Sequence, residues 1–128
     1  MPKFVSQNAM IAELAYIRDN ADNMHVITAY TQGDSYATVT GNSVCTIAVT
    51  SANLPISVLG TLDQQITVAS MTGTASAPSP TTPNLHIAIV NSVGAEVLAV
   101  GDESTDQAIV SGNPITTPVW YIKTTQPI

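Results

Sequence analysis

The chain has 128 residues, enough for one domain, and a chain of this length buries roughly two thirds of its unfolded surface without help from a disulfide or a metal. It is 45% hydrophobic and only 9% charged, with 11 Ser and 17 Thr making up the polar balance, whereas an ordinary soluble domain is about 25% charged. That composition excludes a disordered chain, which is rich in charge and poor in β-branched residues, and a solvated helical bundle, which needs Glu and Lys faces. Three basic residues, Lys3, Arg18 and Lys123, stand against nine acidic ones for a net charge of −6. Scattered cations of this number cannot neutralise a nucleic-acid backbone or hold an anionic membrane, so neither partner is expected.

In chain order, a short arm, Pro2 to Val5, precedes helical periodicity. Met10, Leu14, Ile17, Ala21 and Met24 recur at spacings of four and three, placing them on one face of a helix over about residues 7 to 21. Ser6 is the expected N-cap, and Arg18 and Asp22 are spaced to pair across one turn. From His25 onward the pattern is strand and turn. Strands are expected at His25–Tyr30, Tyr36–Thr40, Ser43–Thr50, Ile56–Leu59, Gln65–Ala69, Leu85–Val90, Glu96–Val100, Gln107–Val110 and within Thr117–Thr125. Turn residues separate them: Gly33-Asp34, Gly41-Asn42, Gly60 to Asp63, Asn91 to Ala95 and Ser111 to Pro114. The fold class is therefore mainly β, an antiparallel sandwich or small barrel of seven or eight short strands with one N-terminal helix, all in one domain over 1–128. Residues 72–84 hold three Pro and no large apolar side chain, the composition of an exposed connection. An arm lying on a neighbouring subunit would have the same composition.

Motifs that carry chemistry are missing. There is no Gly-rich phosphate loop, nucleophile elbow or His-Glu-x-x-His. His25 and His86 both lie in strand-like runs and read as surface or boundary positions. Cys45, the single cysteine, alternates with Ile47 and Val49 and reads as a small buried hydrophobe. The cluster Asp102 to Asp106 lacks the alternating ligands and Gly bend of a calcium loop and reads as a solvated turn. No enzyme activity, cofactor or metal is expected. Alternation along the last strand puts Trp120 and Ile122 on the core side and Val119 and Tyr121 on the other. The first residues lack the pattern of a secretory signal, and no apolar run approaches the ~20 residues of a membrane helix. A cytoplasmic origin is the resulting expectation.

The segment Leu14-Ala15-Tyr16-Ile17-Arg18-Asp19-Asn20-Ala21-Asp22-Asn23-Met24-His25-Val26 resembles the helix-to-first-strand junction of small structural proteins of tailed bacteriophages. Ala108 to Asn113 followed by Trp120-Tyr121-Ile122 is more loosely similar to a final hairpin of that group. Between about Thr31 and Pro83 no motif aligns. The resemblance implies a virion protein made in the host cytoplasm, most simply a decoration or cement protein on the capsid surface. Its partners would be the major capsid protein and further copies of itself. The arm residues Pro2, Lys3, Phe4 and Val5, with Tyr16 and Arg18 of the helix, are the candidate interface. A tail, neck or fibre component is the alternative, and a host-surface or carbohydrate-binding module follows it.

Overall fold

In the computed structural model, which describes residues 4–59, 63–81, 83–102 and 107–124, helix α1 runs over Gln7–Asn20. Ser6 caps it, its Oγ accepting the Ala9 N–H at 3.1 Å. The apolar stripe does what its spacing predicts as far as Ala21, with Met10 and Leu14 buried and Ile17 and Ala21 packed against the core, but Met24 lies beyond the helix in the first strand, although it is buried too. Asp22 does not pair with Arg18. Its carboxylate instead accepts the Ser92 N–H at 2.9 Å and the Ser92 hydroxyl, while Arg18 turns to Asp19 at 2.8 Å. The helix ends at Asn20, so Asp22 lies beyond the last turn and no longer shares a helical face with Arg18.

Among the described residues nine strands follow, all paired antiparallel, in sheets of four, three and two. Sheet A joins β1 (Asn23–Ile27), β2 (Ser43–Ala48), β6 (His86–Asn91) and β7 (Glu96–Asp102) in the order β2-β1-β6-β7. Sheet B joins β3 (Ile56–Leu59), β4 (Asp63–Val68) and β9 (Trp120–Thr124) in the order β3-β4-β9. The chain thus leaves sheet A after β2, builds most of sheet B, and returns for the β6–β7 hairpin. Sheet B is completed only by β9. One cluster fills the space between the layers, with Met24, Val26, Cys45, Ile47, Ile87 and Ile89 from sheet A meeting Ile66 and Val68 from sheet B. Helix α1 lies along β4 and contributes Leu14 to that cluster. Burial alternates cleanly along β4, with Gln64, Ile66 and Val68 inward. Trp120 and Ile122 pack inward from β9 while Tyr121 faces out, as alternation predicts. The architecture is sandwich-like, and the described residues form no closed barrel.

Two expected strands are not formed. Tyr36–Thr40, β-prone by composition, lies in a short helix, α2 (Tyr36–Gly41). Local capping outweighs its propensity: Ser35 Oγ accepts the Thr38 N–H at 3.2 Å, and the Thr40 hydroxyl donates back to the Tyr36 carbonyl at 2.9 Å. The fully buried Val39 packs on Ile27, Ala88 and Val90 across the outer face of sheet A, with Tyr36 packed beside it. Gln107–Val110 stays irregular, bonded to the 72–84 segment rather than to a strand. That segment is correspondingly less open than its composition predicts. Thr72–Thr74 forms β5, which pairs with β8 (Pro114–Thr116), and the Ser76 N–H reaches the Val44 carbonyl at 2.8 Å. These two three-residue strands raise the count above the expected seven or eight. Gly73 makes the close approach of β5 to β2 possible, since a Cβ there would lie 2.7 Å from Ile47 and 2.8 Å from the Cys45 sulfur. The expected turn at Gly60–Asp63 and the acidic cluster at 103–106 fall largely outside the described residues.

Candidate interaction surface

The candidate residues do not gather into one patch. Pro2 and Lys3 lie outside the described residues. Phe4 is 65% exposed and Val5 also lies on the surface, immediately before the Ser6 cap. Tyr16 is 52% exposed, but its hydroxyl is engaged, donating to Glu96 Oε1 at 2.7 Å and so tying α1 to the start of β7. Accepting that proton, the Glu96 carboxylate raises the Tyr16 pKa above its usual range. Arg18 is turned to Asp19. Residues two apart on a helix do not share a face, so Tyr16 and Arg18 cannot present one surface. Phe4 and Tyr16 are separated by about 15 Å of helix axis at 1.5 Å per residue.

Polar side chains elsewhere are mostly spent within the fold. His25, on the outer face of sheet A, is buried with Nδ1 2.9 Å from Ser43 Oγ and 3.2 Å from Thr46 Oγ1. The Ser43 hydroxyl also donates to the Cys45 carbonyl at 3.1 Å. Ser43 thus has a backbone acceptor beside the imidazole, and the direction of its contact with Nδ1 is set by the His25 tautomer. Burial lowers the His25 pKa, with Asp22 partly opposing. Burial likewise raises the pKa of the Cys45 thiol, the reverse of what a nucleophilic thiolate requires. Asp22 is pushed up by burial but held below the ordinary carboxylate range by its bonds to Ser92 and Asn23. Among the described residues no three His, Cys, Asp or Glu side chains converge to hold a metal ion, and no helix is long and apolar enough to cross a membrane.

A concave feature lies on the other side of sheet A, a cleft of about 510 Å³ bordered by Val26, Leu85, Ile109, Ile115 and Pro118, with Ser70 at its wall. Its hydroxyls point into its own wall. Ser70 donates to the Thr117 carbonyl, and the Thr117 hydroxyl both accepts the Met71 N–H at 3.0 Å and donates to the Met71 carbonyl.

His25 carries a pH prediction. Its imidazole is neutral in the fold and binds a proton more weakly than in the unfolded chain, so below the ordinary His value of 6.5 the unfolded state takes up protons first. Stability then falls as the pH drops through that value towards the lower folded one. Urea midpoints measured at about pH 7 and about pH 5 should fall more for the wild type than for His25→Gln. Equal shifts in the two proteins would show that His25 does not titrate in this way.

Alternation along the last strand correctly placed Val119 and Tyr121 on the exposed side, whereas the exposure of Val58 was missed, since nothing in its four-residue strand indicates which face is covered. Compared with known proteins, the chain matches no family model, no curated protein and no solved structure.

Proposed function

We propose that this chain is a structural component of a tailed-bacteriophage virion, acting as a decoration or cement protein that binds the major capsid protein lattice. The reading starts from the Leu14–Val26 resemblance, and the observation that carries it is the exposure of Phe4 and Val5. Phe4 presents an apolar ring to solvent at the end of a helix that is otherwise capped and docked. Burying that ring against a neighbouring subunit would be favourable and would leave the β body folded. Weak contact per copy suits a lattice, where many equivalent sites act together. The neutral, hydroxyl-rich composition supports the same reading, since such faces can cover joints between subunits without desolvating charge.

Quantitative mass spectrometry of purified particles tests the proposal. Copies in simple ratio to capsid subunits are expected. A few copies per particle would transfer the chain to the tail, neck or fibre, and absence would overturn a virion role. Removal of residues 1–5 should weaken binding to particles by roughly tenfold or more, the equivalent of leaving one large apolar side chain unburied. Undiminished binding would exclude the arm as the contact.

A further inference from the structure

The four edges of the two main sheets are not equivalent. The β2 edge is covered by β5, with the Ser76 N–H on the Val44 carbonyl. The β7 edge carries Glu96 and Asp102 at its ends and a register irregularity opposite Ile89 and Val90. The β9 edge carries Lys123, whose ammonium lies 5.9 Å from the centre of the Tyr121 ring. Charges, bulges and covers are the devices by which sheets avoid pairing with other chains. The β3 edge, Ile56-Ser57-Val58-Leu59, has none of them among the described residues.

The hydrogen-bond phase of β3 shows which groups are free. Pro55 O accepts the Thr67 N–H and Asn53 O accepts the Ala69 N–H, so residues 53, 55, 57 and 59 point towards β4. Ile56 and Val58 therefore aim their N–H and C=O groups away from the sheet. Beside those groups Val58 is 54% exposed and Ser57 is exposed on the opposite face, while Ile56 is half-buried against the core.

We propose that the β3 edge is a self-association surface, on which a second copy of the chain lays its own β3 antiparallel across a two-fold axis at Ser57. The phase limits the register to those that pair outward residues with outward residues. Setting Ile56 opposite Val58 of the partner subunit, and the reverse, is the one that uses both residues of each copy and gives four hydrogen bonds. Ser57 then faces its own copy as a non-hydrogen-bonded pair. A second copy is the occupant because the segment is self-complementary in this register. It places apolar Val58 against apolar Ile56 and brings no charge opposite a like charge. That matters for a chain of net charge −6, whose copies repel one another over most other approaches. Pairing would extend sheet B into a continuous six-stranded sheet across the dimer. The contact is small, so association is weak in free solution and grows where copies are concentrated. Pairing at this edge does not depend on the virion reading.

Sedimentation velocity over a concentration series, with disulfide trapping, tests it. Cα atoms of a non-hydrogen-bonded antiparallel pair lie about 4.5 Å apart, within reach of a disulfide. Ser57→Cys should therefore form a covalent dimer under mild oxidation. The wild type, whose only thiol is the buried Cys45, should not. Val58→Lys, at a half-exposed position the fold tolerates, should weaken the dimer at least about tenfold. A monomer at every concentration would overturn the proposal. So would a dimer unaffected by Val58→Lys and not trapped by the Ser57→Cys substitution, since it would form through another surface.

Discussion

Leu14→Ala is expected to lower the unfolding free energy by about 2–5 kcal/mol, the range for emptying a fully packed leucine site. Leu14 is 1% exposed and shares a cluster with Met24, Ile66 and Ile89, so no neighbouring side chain can collapse into the space without leaving its own contacts. The loss should appear as a lower urea midpoint with an unchanged slope, because the same surface still unfolds in one step. Tyr16→Phe, two residues along the same helix, provides the contrast. It removes only the exposed hydroxyl bond to Glu96 and should leave the midpoint close to that of the wild type. A neutral Leu14→Ala would mean that α1 is not docked on β4 in solution. The docking bears on function, since a helix held by its inner face can lose its arm without unfolding. Particle-binding defects of the trimmed protein then report the contact itself.

The sequence made the fold legible where one periodicity dominated. The stripe from Met10 to Ala21 gave α1 and its buried face, and alternation gave Trp120 and Ile122 inward and Tyr121 outward. It failed where a residue's neighbours lie far away in the chain. Tyr36–Thr40 has strand composition, and only the Ser35 cap and the distant pocket for Val39 between Ile27, Ala88 and Val90 make it helical. The 72–84 segment looks like a free connection because its partners, Pro114–Thr116 and the Val44 carbonyl, contribute nothing to its own composition. Arg18 and Asp22 have the spacing of a pair, but the Ser92 donors belong to a turn seventy residues away. The candidate surface was legible only in part. Exposure of Phe4 follows from its place before the cap, whereas the bond that engages Tyr16 required Glu96 to be brought alongside.

The joint between the two sheets carries the other large effect. Trp120 of β9 lies against the backbone of β7 at Gly101, where an added Cβ would sit 2.7 Å from both Cε3 and Cζ3 of the indole. That is well inside carbon–carbon contact at about 3.5–4.0 Å. An aromatic ring cannot bend aside like the end of a flexible chain, so it must swing or the strands must part. No hydrogen bond holds the ring in place, because its Nε1 is buried without a partner, and packing alone fixes its orientation. Gly101→Ala should therefore cost about 1–3 kcal/mol. Trp120 is the only tryptophan in the chain, so a changed emission maximum of the folded protein would report the displaced ring directly. Combining Gly101→Ala with Trp120→Phe separates steric conflict from a general weakening of β7. A smaller ring leaves room for the new methyl group, so the double variant should lose less than the sum of the two single losses. Strict additivity with unchanged emission would mean that Gly101 and Trp120 do not meet, and that the two sheets close on each other elsewhere.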